Sequence, residues 1–189
     1  MSTTSVHPSV QAFIDDVKGI LDEHGVGDDG LKRIAERMKA LTRDRELTES
    51  VGPVGNVHHG QQVPELYTDE TGLTLVRAKF PPDTNTPIHN HFTWGVVAVY
   101  AGRDNYQVWR RLDDGDGEGY AEVELVEEFI MGPGDTAIIP HPPQDIHAQQ
   151  GVGEDTYEFV LFGSNAMKGP RLYFDPEKKT ATKVVPKKD

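Results

Sequence analysis

At about Leu66 the hydrophobic period of this chain changes from that of a helix to that of a strand, and no other feature restricts the fold as strongly. Short β-rich runs follow: LTLVRAKF, WGVVAVYAG, NYQVWRRL, AEVELVEEF, DTAIIP, DIHAQQ, TYEFVLFG and RLYF. Turn-forming stretches separate them: PPDTNTP, DDGDGEG, GPGD and GVGED. Short strands at this spacing predict a mainly β fold, an antiparallel sandwich or barrel.

The preceding section reads differently. SVQAFIDDVKGILDEHG places Val10, Phe13, Ile14, Val17, Ile20 and Leu21 on one helical face, with Gly25 where a C-cap is expected. GDDGLKRIAERMKALTRD repeats the pattern with Leu31, Ile34, Met38 and Leu41, opened by Asp28 or Asp29. The expected division is an N-terminal helical extension over residues 1–50, made of two amphipathic helices packing on the barrel. A barrel over 51–180 and a frayed basic tail over 181–189 complete it.

Composition limits the chemistry. A chain of 189 residues with 36% hydrophobic content supports one globular domain. There are no cysteines, so disulfides, thiolate metal sites and cysteine nucleophiles are excluded. A metal can be held only by His, Asp or Glu. The formal charge of -12 argues against nucleic-acid and anionic-membrane partners, because phosphate neutralisation needs clustered Lys and Arg. No stretch approaches the roughly 20 apolar residues of a membrane span, and MSTTSVHPSVQ does not read as a signal peptide. A cytoplasmic location is expected, and the protein is expected to be a monomer or homodimer.

Within PIHNHFTWGVVAVYAG, His89 and His91 stand two apart. In an extended strand such residues share one face, with Asn90 on the other. Two imidazoles so placed suit two cis positions on one metal, although an H-x-H pair also occurs on ordinary surfaces. A third histidine, His147, comes in GDTAIIPHPPQDIHAQQ. Three neutral imidazoles from neighbouring strands would cap one side of a cation and leave open positions opposite, as catalytic metals require.

These residues resemble a known family. H-x-H, a glycine eleven residues on (Gly102), then G-D-x-x-x-x-P and a later His are similar to the two cupin motifs. The glutamate usual in the first motif is absent, since Gly95 and Val96 stand there. Three histidines without it resemble the thiol dioxygenase branch, the cysteine and 3-mercaptopropionate dioxygenases. HNHFTWGVVAVYAG and FGSNAMKGPRLYFDP carry the likeness to the second group. The resemblance covers about residues 60 to 180. It implies a cupin double-stranded β-helix (a jelly-roll barrel) with ferrous iron on His89, His91 and His147. It also implies dioxygen and a small-molecule substrate as partners, with Arg171 able to clamp a substrate carboxylate. A surface ion pair is the other reading of Arg171.

The departures are specific. The family's Ser-x-His-x-Tyr relay falls on Glu158, Val160 and Phe162 when aligned on Gly163, and no relay histidine or tyrosine is present. The upstream arginine of cysteine dioxygenases has no match near Glu65. Oxidation of cysteine itself is not expected, and a small thiol or another anionic, carboxylate-bearing substrate fits better. The alternatives are a non-oxygenase metal cupin (a lyase, isomerase or hydrolase using Zn, Ni or Mn) and a small-molecule-binding cupin.

Further candidates depend on strand parity. Glu158 facing inward is a general base or fourth ligand; otherwise Tyr157 takes the inward place. Trp94 is expected beside the ligand pair, and Tyr106 and Trp109 as wall or substrate-binding residues. His58 and His59 are placed across the barrel mouth. His141 is read as a loop residue, and His7 and His24 as exposed.

Overall fold

The computed structural model describes residues 6–49, 64–82 and 84–185. Among the described residues three helices come first: α1 (Pro8–His24), α2 (Asp28–Leu41) and the short α3 (Arg45–Glu49). Pro8 occupies the first turn, where its missing N–H costs nothing, and His7 Nδ1 accepts from the Ser9 amide at 3.3 Å. Asp28 and Asp29 sit in the first turn of α2, where the helix dipole favours negative charge.

Twelve strands follow among the described residues. They are β1 (Glu65–Thr68), β2 (Thr74–Phe80), β3 (Ile88–His89), β4 (Gly95–Ala101), β5 (Asp104–Arg111) and β6 (Gly119–Tyr120). Then come β7 (Val123–Met131), β8 (Thr136–Ile139), β9 (His147–Gly151), β10 (Thr156–Phe162), β11 (Arg171–Asp175) and β12 (Thr180–Val184). They form a five-stranded sheet, β1-β2-β10-β4-β8, and a seven-stranded sheet, β6-β12-β11-β3-β9-β5-β7. Every pairing is antiparallel. The two sheets curl together as the expected jelly-roll half-barrel. Gly102, at φ 77, makes the turn from β4 to β5, a conformation that side chains with a Cβ rarely adopt.

The five-stranded sheet is covered on both faces. Its inner face contributes Val76, Ala78, Val97, Val99, Val160 and Phe162 to the barrel core. Its outer face contributes Val96, Ala98, Phe159 and Leu161 to a second core, filled by Val10, Ile14, Val17, Ile34 and Met38 from α1 and α2. Each such side chain is worth about 1.5–3 kcal/mol when fully buried. The helical section is therefore a layer of the fold. Residues 181–184, expected to fray, instead belong to β12: Arg171 pairs with Val184 and Phe174 with Ala181. Among the described residues no helix is long and apolar enough to cross a membrane.

Trp94 lies in the helix-facing core, flat against Gly163. A Cβ at Gly163 would come within 2.2 Å of the indole. Gly163→Ala is expected to cost about 1–3 kcal/mol of stability, the usual range for overpacking. A lowered urea midpoint at unchanged slope would report it.

Candidate metal centre

The three histidines reach one point by different routes. β3 ends at His89, which pairs in register with His147 on β9 and Tyr173 on β11. The strand stops there, so His91 is not positioned by regular pleating. Asn90 is tied instead to Leu172: its amide donates to the Leu172 carbonyl at 3.2 Å, and its side-chain oxygen accepts from the Leu172 amide at 2.8 Å. The His91 amide donates to Asp145 Oδ2 at 3.0 Å, and Phe92 turns away at φ 54. Asp145, fully buried, thereby fixes the turn after β3 from a distant loop.

The Nε2 atoms of His89, His91 and His147 lie 3.1, 3.1 and 3.3 Å apart. Two donors bound at right angles to one ion at about 2.1 Å would stand about 3.0 Å apart, so the spacing is that of cis ligands. For two of the three rings the hydrogen-bond partners suit this. His89 Nδ1 is 2.8 Å from the Pro87 carbonyl, which can only accept, so its proton sits there and Nε2 presents a lone pair. His147 Nδ1 is 2.7 Å from the Tyr106 hydroxyl, which can accept its proton in the same way. Burial, helped by the neighbouring His89, holds His91 and His147 well below the ordinary histidine range, so both stay neutral. Among the described residues no carboxylate joins this cluster. Residues of this kind fit a divalent metal ion.

Tyr106 is fully buried at the back of His147, touching the ligand ring and not the cavity in front of it. Tyr106→Phe is expected to weaken metal binding about 10- to 100-fold, the effect typical of removing a ligand's hydrogen-bond partner. Competition against a chelator would measure it.

The three imidazoles open onto a small cavity of about 40 Å³. Thr86, Gln149, Val160, Phe162, Met167 and Arg171 also line it. The Phe162 ring lies 4.6 Å from His91, centroid to centroid. Arg171 is buried and donates Nη2–H to the Ala166 carbonyl at 3.0 Å. It forms no salt bridge with a carboxylate among the described residues, so the surface ion pair is not formed. Burial lowers its pKa, opposed by the nearby Tyr173.

The other candidates separate clearly. Glu158 faces inward and is fully buried, but it stops behind Gln149 and touches neither the cavity nor the histidine cluster. Tyr157 points the other way, toward Tyr100 and Lys79 on the outer side of the sheet. Trp94 belongs under the helices, away from the ligand pair. Trp109 packs with Ile146, Leu172 and Phe174 and donates to Gln107 at 3.2 Å. None of these three lines the cavity. His141 is exposed, 3.2 Å from the Val26 carbonyl, while His7 and His24 are half-buried on α1 and its cap. His58 and His59 lie outside the described residues.

Several residues of the site were not among the sequence candidates, Asp104, Asp145 and Gln149 among them. Gln149 follows His147 by two on β9 and so shares its face, a signal the period of two carries. Asp104 bears the same relation to Tyr106 on β5. Asp145 has no such signal, because its role depends on a turn 54 residues away.

No protein-family model matches the sequence, and no curated protein matches it. Solved structures do. An oxalate oxidase is 25% identical, with a TM-score of 0.46 over 60% of this chain and 57% of that one. A cupin-like protein from Thermotoga maritima is 20% identical, with a TM-score of 0.41 over 62% and 83% of the two chains. KdgF from Halomonas sp. is 20% identical, with a TM-score of 0.42 over 59% and 86%. The chain spans about half the length of the oxalate oxidases and of the DMSP lyase structure that it matches. The two antiparallel sheets described above curl into a jelly-roll half-barrel, and inside it lies a three-histidine cluster able to take one metal ion.

Proposed function

We propose that the protein is a mononuclear iron dioxygenase of the thiol dioxygenase type, acting on a small thiol or another anionic substrate that carries a carboxylate. The observation that carries this reading is a buried guanidinium, without a carboxylate partner, on the wall of the same cavity as three converging imidazoles. A buried cation without an anion is costly, so the cavity favours an anionic ligand.

His89, His91 and His147 would hold the iron as neutral donors, leaving its positive charge uncancelled by protein. Ferrous iron, when bound, supplies the redox access between dioxygen and an anionic donor such as a thiolate or enolate. The chain does the rest. Arg171 binds the carboxylate end of the substrate and so orients its other end toward the histidines. Val160, Phe162 and Met167 keep water from the remaining wall. The positions where the family carries its proton relay hold Glu158, Val160 and Phe162, and the two that border the cavity are apolar. Among the described residues the lining offers no carboxylate to remove a proton, which suits a substrate whose acidic group ionises readily. For a thiolate, both oxygen atoms of O₂ end on sulfur, giving a sulfinate. A lyase or isomerase using Glu158 or Tyr157 as acid or base is less well supported, since neither borders the cavity.

Elemental analysis of the purified protein, joined to oxygen-electrode assays with thiols, β-diketones and enolisable acids, tests the proposal. Iron content and oxygen uptake with one of these classes are expected. Protein without iron that consumes no oxygen with any of them overturns it. Arg171→Met is expected to raise KM for the active substrate roughly 10- to 150-fold, the worth of charged hydrogen bonds of about 1.5–3 kcal/mol. Iron content should stay unchanged.

A further inference from the structure

Gln149 is held more firmly than a wall residue needs to be. Its amide N–H donates to Thr86 Oγ1 at 2.8 Å, and its carbonyl accepts from the Thr86 amide at 2.8 Å. Its side-chain Nε2 donates to Glu158 Oε2 at 2.8 Å and to Asp104 Oδ2 at 3.2 Å. Both carboxyl groups are fully buried. Burial raises the pKa of both groups, and each turns one oxygen toward the Gln149 amide nitrogen. The amide nitrogen, with two protons to give, is the end that faces the two carboxyl oxygens. The amide oxygen Oε1 consequently turns the other way. Gln149 is only 4% exposed, it borders the cavity, and Oε1 has no hydrogen-bond partner among the described residues.

We infer that Gln149 is a specificity-determining residue, whose side-chain carbonyl accepts a hydrogen bond from a hydroxyl group on the substrate. The substrate class is then a small hydroxy-substituted acid, its carboxylate at Arg171 and its hydroxyl at Gln149. This rests on the proposed reading only in taking Arg171 as the carboxylate site. The carboxyl pair behind Gln149 pulls on both amide protons and so strengthens its carbonyl as an acceptor. The cavity is small, which suits a small substrate. Within that space Gln149 offers an acceptor that Arg171 cannot, because a guanidinium only donates.

The test is anaerobic calorimetry on the metal-loaded protein with matched acids. One pair is 3-mercaptopropionate and 2-hydroxy-3-mercaptopropionate; the other, without sulfur, is propionate and lactate. The donor-bearing member of each pair is expected to bind about tenfold more tightly, the worth of one net hydrogen bond. Gln149→Leu should remove that preference at unchanged metal content. Because leucine leaves two buried carboxyls without a donor, Gln149→Asn serves as a second variant, keeping an amide but withdrawing it from the cavity. Equal binding within both pairs, binding of none of the four acids, or a preference that survives both substitutions overturns the inference. The last result would assign the preference to the metal alone. If lactate outbinds propionate through Gln149 but no thiol or enolisable acid consumes oxygen, the dioxygenase reading fails and this one stands.

Discussion

Replacing His147 by alanine is expected to remove both the metal and the turnover while leaving the barrel folded. Structural zinc sites gain roughly 10–16 kcal/mol from four ligands, so one imidazole of three carries about 3–4 kcal/mol, or several hundred-fold in affinity. His147 also begins β9, the strand that joins β3 to β5 through backbone pairing, and alanine keeps that pairing. Far-UV circular dichroism should therefore match that of the unaltered protein, while bound metal falls to trace levels. Retention of stoichiometric metal by the variant would remove His147 from the ligand set.

The second large effect is a dependence of stability on pH. Asp104 is fully buried, and burial raises its pKa from the ordinary 3.8 to about 7. Below about pH 4 the group is protonated in both folded and unfolded chains. Between about pH 4 and pH 7 the unfolded chain gives up a proton that the folded chain keeps, so stability falls as pH rises. At about 1.4 kcal/mol per unit, three units amount to about 4 kcal/mol. Glu158 is pushed in the same direction, whereas the buried imidazoles of His91 and His147 act in the opposite sense. The informative quantity is thus a difference between proteins. In metal-free samples, Asp104→Asn should gain on the unaltered protein by up to about 4 kcal/mol between pH 4 and pH 7.5. Urea titrations at the two pH values measure it, and parallel stability curves would show that Asp104 is ionised in the folded state.

The strands were legible because turn residues and β-branched runs alternate from Leu66 onward. Each of the eight β-rich runs became a strand. The three histidines were legible from motif spacing, and they meet. What could not be read was facing within β4 and β10. Both strands are apolar on two sides, so the alternation that normally marks the inner face is erased. That is why Trp94 was expected by the metal but lies under the helices, and why Glu158 and Tyr157 could not be told apart. Register settles them: Glu158 pairs with Ala78 and Val99, both on the inner face. TATKV read as a tail because it is short and basic, yet pairing along β11 supplies the hydrogen bonds its composition did not advertise.

The sheet buried between helices and barrel also orders events during synthesis. Phe13, Ile14, Ile34 and Met38 leave the ribosome more than a hundred residues before Phe159 and Leu161, the surface they finally cover. Until β10 arrives, the early helices carry a greasy stripe with no lasting home. Such long-range closure is slow and leaves a chain prone to association. A barrel cut free of its first fifty residues would bare the complementary slab, with the same result. For this chain, early exposure of the helical stripe and exposure of the sheet on truncation have one origin, the shared helix–sheet core.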